Sequence, residues 1–445
     1  MSLVGMMVAI CPALVACGGV LLPEQGDAGS SASSGAPGSS GGALDATSSE
    51  SSDAGSDATS DASGDGASAP SDGSTDSGGA SPYNDLTYPG NWSLYDLRAV
   101  DPNANGLSGG TFDGRYVYFV GANALRYDTT GAFDSPGSWS SFAPEGPGAS
   151  FEGGAFDGHF VYFAGPVVAR FDLQSPFASP ASWSTFDTRT LPAGTYVAGA
   201  VFDGRYLYFV GDVVARYDTQ AAFASASSWS TFDASALTKS PTFRGAVFDG
   251  RYVYLVPGGS GAPVVRYDTT AAFGAASSWS TADPTSFFPG ASGTFSGAFD
   301  GRFVYLLPNA GATVVRYDTT GSFAAPAAWS AFDLTQVSPG FAVPLQGTAF
   351  DGRYVYGIPR AFPPRVDRYD TTAAFGSATS WLGYSPWYYP NQTYGFAGAV
   401  FDGRFLYLVP TGSSPTGGPG NDLARFDARN PPAMPQLPAW HGSFF

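Results

Sequence analysis

Cysteine, histidine and lysine are all scarce in this chain of 445 residues, and each shortage removes a class of function. Both cysteines, Cys11 and Cys17, lie in the first seventeen residues, so the remainder can build neither a disulfide framework nor a thiolate metal site. The two histidines, His159 and His441, are too few for a histidine-based metal centre. Lys239 is the single lysine, and 37 Asp plus Glu against 20 Lys plus Arg would repel a polyanion, which excludes nucleic acid as an expected partner. The aromatic-containing region also lacks a Gly-x-Ser-x-Gly elbow and a phosphate-binding loop. No cofactor or metal is expected, and carboxylates are the catalytic groups that remain.

What the chain has instead is a repeat. FDGRYVY begins at Phe112, FDGHFVY at Phe156, FDGRYLY at Phe202, FDGRYVY at Phe248, FDGRFVY at Phe299, FDGRYVY at Phe350 and FDGRFLY at Phe401. The spacings are 44, 46, 46, 51, 51 and 51 residues, and a period of this size signals a propeller or a solenoid. An apolar run, Asp-Gly, then a second apolar run predicts a β-hairpin with a type I′ turn.

Each hairpin is followed by an Arg-[Tyr/Phe]-Asp element opening at Arg126, Arg170, Arg216, Arg266, Arg316, Arg368 or Arg425. In the first six copies a tryptophan then opens a further strand, at Trp139, Trp183, Trp229, Trp279, Trp329 and Trp381. One repeat is therefore four short strands: A before Asp-Gly, B the Tyr-Val-Tyr run, C ending in Arg-Tyr-Asp, and D the tryptophan strand. The seventh copy has no strand D, but Asn91-Trp92-Ser93-Leu94-Tyr95-Asp96 precedes the first hairpin and matches one. Trp92 should complete the last blade and close a ring, giving an all-β, seven-bladed β-propeller of four-stranded blades with short, protected edges. The order hairpin, Tyr-Asp strand, Trp strand is similar to the kelch-type propeller repeat from about Trp92 to Asp427.

The first 82 residues read differently. The apolar run from Leu3 to Ala16 has the length of a signal-peptide core. Its end, Leu14-Val15-Ala16-Cys17, resembles the lipobox of bacterial lipoproteins. That resemblance implies a signal peptide over 1–16, cleavage before Cys17, lipidation of Cys17, and a lipid-anchored protein of the outer membrane or cell surface; the alternative is secretion. Membrane contact would be through the lipid anchor only. From Glu24 to Pro82 the composition is Ser, Gly, Ala and Asp, with ten acidic and no basic residues, so 17–82 is expected to be a disordered tether. The propeller is assigned to 83–430, a Pro-rich tail to 431–445, and the protein is expected to be a monomer.

Alternating strand polarity places the A–B turns and C–D loops on one face and the B–C and D–A loops on the other. The first face is nearly identical in every copy, which points to structural duty for Asp113, Arg115, Asp128 and their equivalents. The expected rim pairs are Arg115 with Asp128, Arg205 with Asp218, Arg251 with Asp268, Arg302 with Asp318, Arg353 with Asp370 and Arg404 with Asp427. The same aspartates could instead cap the following Thr-Thr turns. The blade tryptophans are assigned to the core. Small residues in strand A, such as Gly109-Gly110 and Gly199-Ala200, let seven strands converge and predict a channel lining poor in chemical groups.

Variation lies on the second face. Its D–A loops are read to include Tyr196, Lys239, Phe243, Arg244, Phe287, Phe288 and Tyr384 with Trp387, Tyr388 and Tyr389; its B–C loops include Asp212, Arg360 and Arg365. Tyr196, Arg244, Phe287, Phe288, Arg360, Tyr384, Trp387, Tyr388 and Tyr389 are the candidate ligand-binding residues, suited to stacking on sugars or gripping a protein. The same aromatics could equally fold inward and plug the channel mouth. The expected function is a non-catalytic, surface-anchored binding or scaffold propeller recognising a glycan or an envelope protein. The alternative is a carboxylate-dependent glycosidase or lyase, for which the non-repeat acids are Glu145, Glu152 and Asp212.

Overall fold

The computed structural model describes residues 84–104, 106–144, 150–193, 196–239, 242–259, 261–291, 293–337, 344–360, 364–385, 395–413 and 419–428. Among them are seven four-stranded antiparallel sheets, each ordered A-B-C-D, and a two-residue ladder between Gly412–Ser413 and Pro419–Gly420. Blade 1 consists of Gly109–Phe112, Tyr116–Val120, Ala124–Asp128 and Trp139–Phe142, and blades 2 to 6 repeat this order. Blade 7 takes Phe396–Phe401, Phe405–Pro410 and Asp422–Asp427 from the end of the chain and Trp92–Asp96 from its start. Trp92 pairs with Phe426 and Asp96 with Asp422, so the ring is closed by strands from opposite ends of the sequence. Each strand A touches strand A of the next blade, through blade 7 and back to blade 1, which makes A the axial strand.

The hairpin turn differs from the predicted type I′. The hydrogen bond from Asp113 N to the Tyr116 carbonyl puts Gly114 and Arg115 at the centre of the turn, and only Gly114 has positive φ, at +99°. Type I′ needs positive φ at both central residues, which Arg115 does not supply. The aspartate has another task. Asp113 accepts from Arg115 N and Tyr116 N through Oδ1 and from the Tyr118 hydroxyl through Oδ2 at 2.7 Å. Tyr162, Tyr208, Tyr254, Tyr305, Tyr356 and Tyr407 make the same bond, which ties the third residue of strand B to its own turn.

All six rim pairs form, with Nη2 to Oδ2 distances of 2.7–2.9 Å. The aspartates cap the next turn as well: Asp128 Oδ1 accepts from Thr130 N at 3.0 Å. With most of these arginines more than half exposed, each pair adds little stability. The strand C arginine contributes more to blade packing. Arg126 sits 4.2 Å above the ring of Tyr116 in its own blade and 4.4 Å from that of Phe177 in the next. Arg425 repeats this across the closure, 4.2 Å from Phe405 and 4.0 Å from Phe133. Only part of each guanidinium is accessible, so such cation–π contacts are strengthened by partial desolvation.

Blade 7 substitutes for what it lacks. Every other blade tryptophan donates its indole N–H to the carbonyl of a phenylalanine six residues earlier, as Trp139 does to Phe133. Trp92 donates to Leu86 instead. Leu86 offers no ring to Arg368 of blade 6, and Arg368 Nη1 donates to the carbonyl and side-chain oxygens of Asn84, at 2.6 and 2.9 Å. Closure therefore involves Asn84–Asn91 as well as the strand.

Candidate functional site

Aligning the blades on the phenylalanine of Phe-Asp-Gly places two contrasting rings around the axis. Three residues before it stand Gly109, Gly153, Gly199, Gly245, Ser296, Gly347 and Gly398. At Gly347 no side chain is accommodated without a shift, since a Cβ there would lie 2.5 Å from the Cα of Gly398. One residue earlier, at the mouth facing the B–C and D–A loops, stand Ser108, Glu152, Ala198, Arg244, Phe295, Gln346 and Ala397. At this level strand A carries a hydroxyl, an acid, a base and an amide, with Ser108, Glu152 and Gln346 buried.

In blades 3 to 7 the register of strand A slips at this residue, between Val197 and Gly199, Phe243 and Gly245, Thr294 and Ser296, Leu345 and Gly347, and Phe396 and Gly398. A bulge leaves the extra residue out of the ladder and re-aims its side chain. Sequence reading put Phe243 and Arg244 in a loop. They lie instead in strand A, Phe243 fully buried and Arg244 at the bulge.

Glu152 of blade 2 and Arg244 of blade 4 approach to 4.0 Å, Oε2 to Nη1, although a whole blade separates them. At the same position the intervening blade carries only the methyl group of Ala198. Tyr196 of the same intervening blade brings its hydroxyl onto Glu152 Oε1. Glu152 is 3% exposed, and burial pushes its carboxyl up to about 8, with Arg244 opposing the shift. Glu152 Oε2, Arg244 Nε and Gln346 Oε1 are buried without a hydrogen-bond partner among the described residues. Native interiors rarely leave such groups unmatched.

A second polar exception lies in blade 6, in the face packed against blade 5. Asp367 pairs across the sheet with Gly357 and Gly383, where other blades carry larger residues such as Phe119 and Ser141. Arg365 lies against Gly383, where a Cβ would stand 3.2 Å from its Cδ, and meets Asp367 at 2.7 Å. Burial pushes Asp367 up to about 6, with Arg365 acting against it. Arg365, read from sequence as part of a loop surface, is 4% exposed.

The sequence-selected aromatics divide. Tyr196 is 39% exposed at the mouth. Phe287 and Phe288 pack against the core between blades 4 and 5, and Phe287 lies 6.3 Å from Trp329. It occupies the place of the aromatic that elsewhere stacks on the next blade's tryptophan, because blade 4 has Ala282 at that strand D position. Tyr384 packs beside Trp92, 6.3 Å away. All three are partly buried and contribute to blade packing. Arg360 follows strand B of blade 6 and is half-buried. Trp387, Tyr388, Tyr389 and Glu145 lie outside the described residues, as does Cys17. Gln346 was not singled out in the sequence; column-by-column alignment of strand A would have found it.

No family model and no curated protein matches the chain. Similar solved structures include one described as a streptogramin B lyase structure, at 11% identity over 76% of this chain and 97% of that one, with a TM-score of 0.53. Others are a chain of a mitotic checkpoint complex, at 10% identity over 76% and 91% with a TM-score of 0.52, and U3-55K, at 10% identity over 75% and 98% with a TM-score of 0.52. At such identities the likeness speaks for the fold alone.

Proposed function

We propose that this chain is a kelch-like, surface-anchored lipoprotein that binds a glycan or an envelope protein through the face bearing the B–C and D–A loops. The observation that carries this reading is where the copies diverge. The rim of Arg–Asp pairs repeats around the disc, whereas one axial register on the opposite face holds an acid, a base, an amide and a hydroxyl in different blades. Repetition serves the scaffold; divergence at the loop-facing end of strand A is where a ligand can be distinguished.

A glycan array probed with the full chain beside a Tyr196→Ala, Trp387→Ala, Tyr388→Ala, Tyr389→Ala variant tests the reading. Hits should be lost in the variant; hits indifferent to all four changes would remove the loop face from consideration. Anchoring is tested separately, by metabolic labelling with a palmitate analogue, which should mark the natural chain and not Cys17→Ala.

A second reading, a carbohydrate-active enzyme, is favoured by one observation: Glu152 is a buried carboxyl held protonated near neutrality, the state of a general acid. A glycosidase needs a second carboxylate across the bond to be cut. The other described residues at the axial register offer Ser108, Ala198, Arg244, Gln346 and Ala397, none of them acidic. Binding without turnover is therefore the reading adopted.

A further inference from the structure

We infer that the axial mouth is a binding site for a single carboxylate, gripped by Arg244 and by the acid group of Glu152, with Gln346 in the same ring and Tyr196 at its opening. The inference rests on the loop-face reading above and narrows it to a ligand chemistry.

Geometry comes first. Arg244 extends along Gly258 of its own blade, whose Cα bears no side chain to block it: a Cβ there would lie 2.5 Å from Arg244 Cγ. Among the described residues its Nε–H finds no acceptor, and its Nη1 stops 4.0 Å from Glu152 Oε2, beyond hydrogen-bonding range. A guanidinium held in a mostly buried position with an unused N–H is an incomplete site. Carboxylates match its planar fork with two parallel bonds.

Glu152 supplies the complementary half. The titratable groups facing it, among the described residues, are Tyr196 from blade 3 and Arg244 from blade 4. Because burial holds its carboxyl protonated up to about pH 8, it can donate an O–H to an incoming anion instead of repelling it. One cation and one neutral acid suit a monoanion with two oxygens. A phosphate dianion would need more positive charge than this register contains. Arg244, with its side chain 20% exposed, and Tyr196 give the anion a route in.

A carboxylate could come from an acidic sugar or from an acidic peptide, so the test has an arm for each. Calorimetry with the full chain would use oligogalacturonate, a neutral oligoglucose of equal length, a short Asp/Glu-containing peptide and inorganic phosphate. One carboxylated probe should bind at pH 7 and lose at least tenfold in affinity in Arg244→Gln. Binding to the natural chain should weaken between pH 7 and 9, as Glu152 ionises and occupies Arg244 itself. Glu152→Gln, which keeps a neutral donor, should bind at pH 7 within about threefold and show no such pH dependence. The inference is overturned if neither carboxylated probe binds, if phosphate binds more tightly than both, or if Arg244→Gln leaves binding unchanged. Array hits on neutral glycans that depend on Tyr196 but not on Arg244 would overturn it while leaving the loop-face reading intact.

Discussion

Trp229 donates its indole N–H to the Phe223 carbonyl at 3.0 Å and lies flat against Phe186 of the preceding blade, ring centres 4.4 Å apart. Its ring therefore joins two blades as well as two segments of one blade. Trp229→Ala leaves a cavity between sheets and should cost about 3–5 kcal/mol, read as a lowered urea midpoint with unchanged slope. Glu152 makes the opposite kind of prediction. Its folded-state value of about 8 exceeds the unfolded value of about 4.3, so the folded chain holds more protons between these limits. Stability must then fall as pH rises across that window. Asp367 adds a fall of the same sign, but only up to about pH 6. Glu152→Gln should therefore flatten the stability profile chiefly above pH 6, and an unchanged slope there would contradict the assignment.

At the scale of the strand, most of the architecture was legible because it recurs. Arg115 with Asp128 could be paired from sequence since the same two residues return in five other blades and must meet across adjacent strands. Turn type was not legible, because Asp-Gly reads as the central pair until the Asp113 carboxylate is seen binding Tyr116 N and the Tyr118 hydroxyl. The axial register was missed for a related reason. The bulge beside Arg244 lifts it out of strict alternation, so the sequence there reads as loop. The burial of Arg365 is not legible in the sequence because Gly383, which makes room for it, lies on the neighbouring strand and meets it only across the sheet. Strand A also yields a test. Gly347→Val would force a branched side chain against the Gly398 backbone and push blades 6 and 7 apart. It should lower the melting temperature well beyond the effect of Ala349→Gly, a change in the same strand that removes bulk.

At the scale of the whole molecule, closure sets the two faces. The register places Leu94 opposite Ala424. Leu94→Cys with Ala424→Cys should form a disulfide under mild oxidation, identified as a linked peptide by mass spectrometry. Leu94→Cys with Ala215→Cys, the equivalent position in blade 3, should not. With the ring closed, the repeated Arg–Asp pairs occupy one side and the divergent register the other, and the second is the side proposed for recognition. The most direct measurement is cosedimentation of the unlipidated Cys17→Ala chain with isolated bacterial envelopes, comparing an Arg115→Ala, Arg251→Ala rim variant with a Tyr196→Ala, Arg244→Gln mouth variant. The account predicts that the rim variant sediments like its parent and the mouth variant stays at least tenfold more in solution. Loss of sedimentation in the rim variant with the mouth variant unaffected would contradict it.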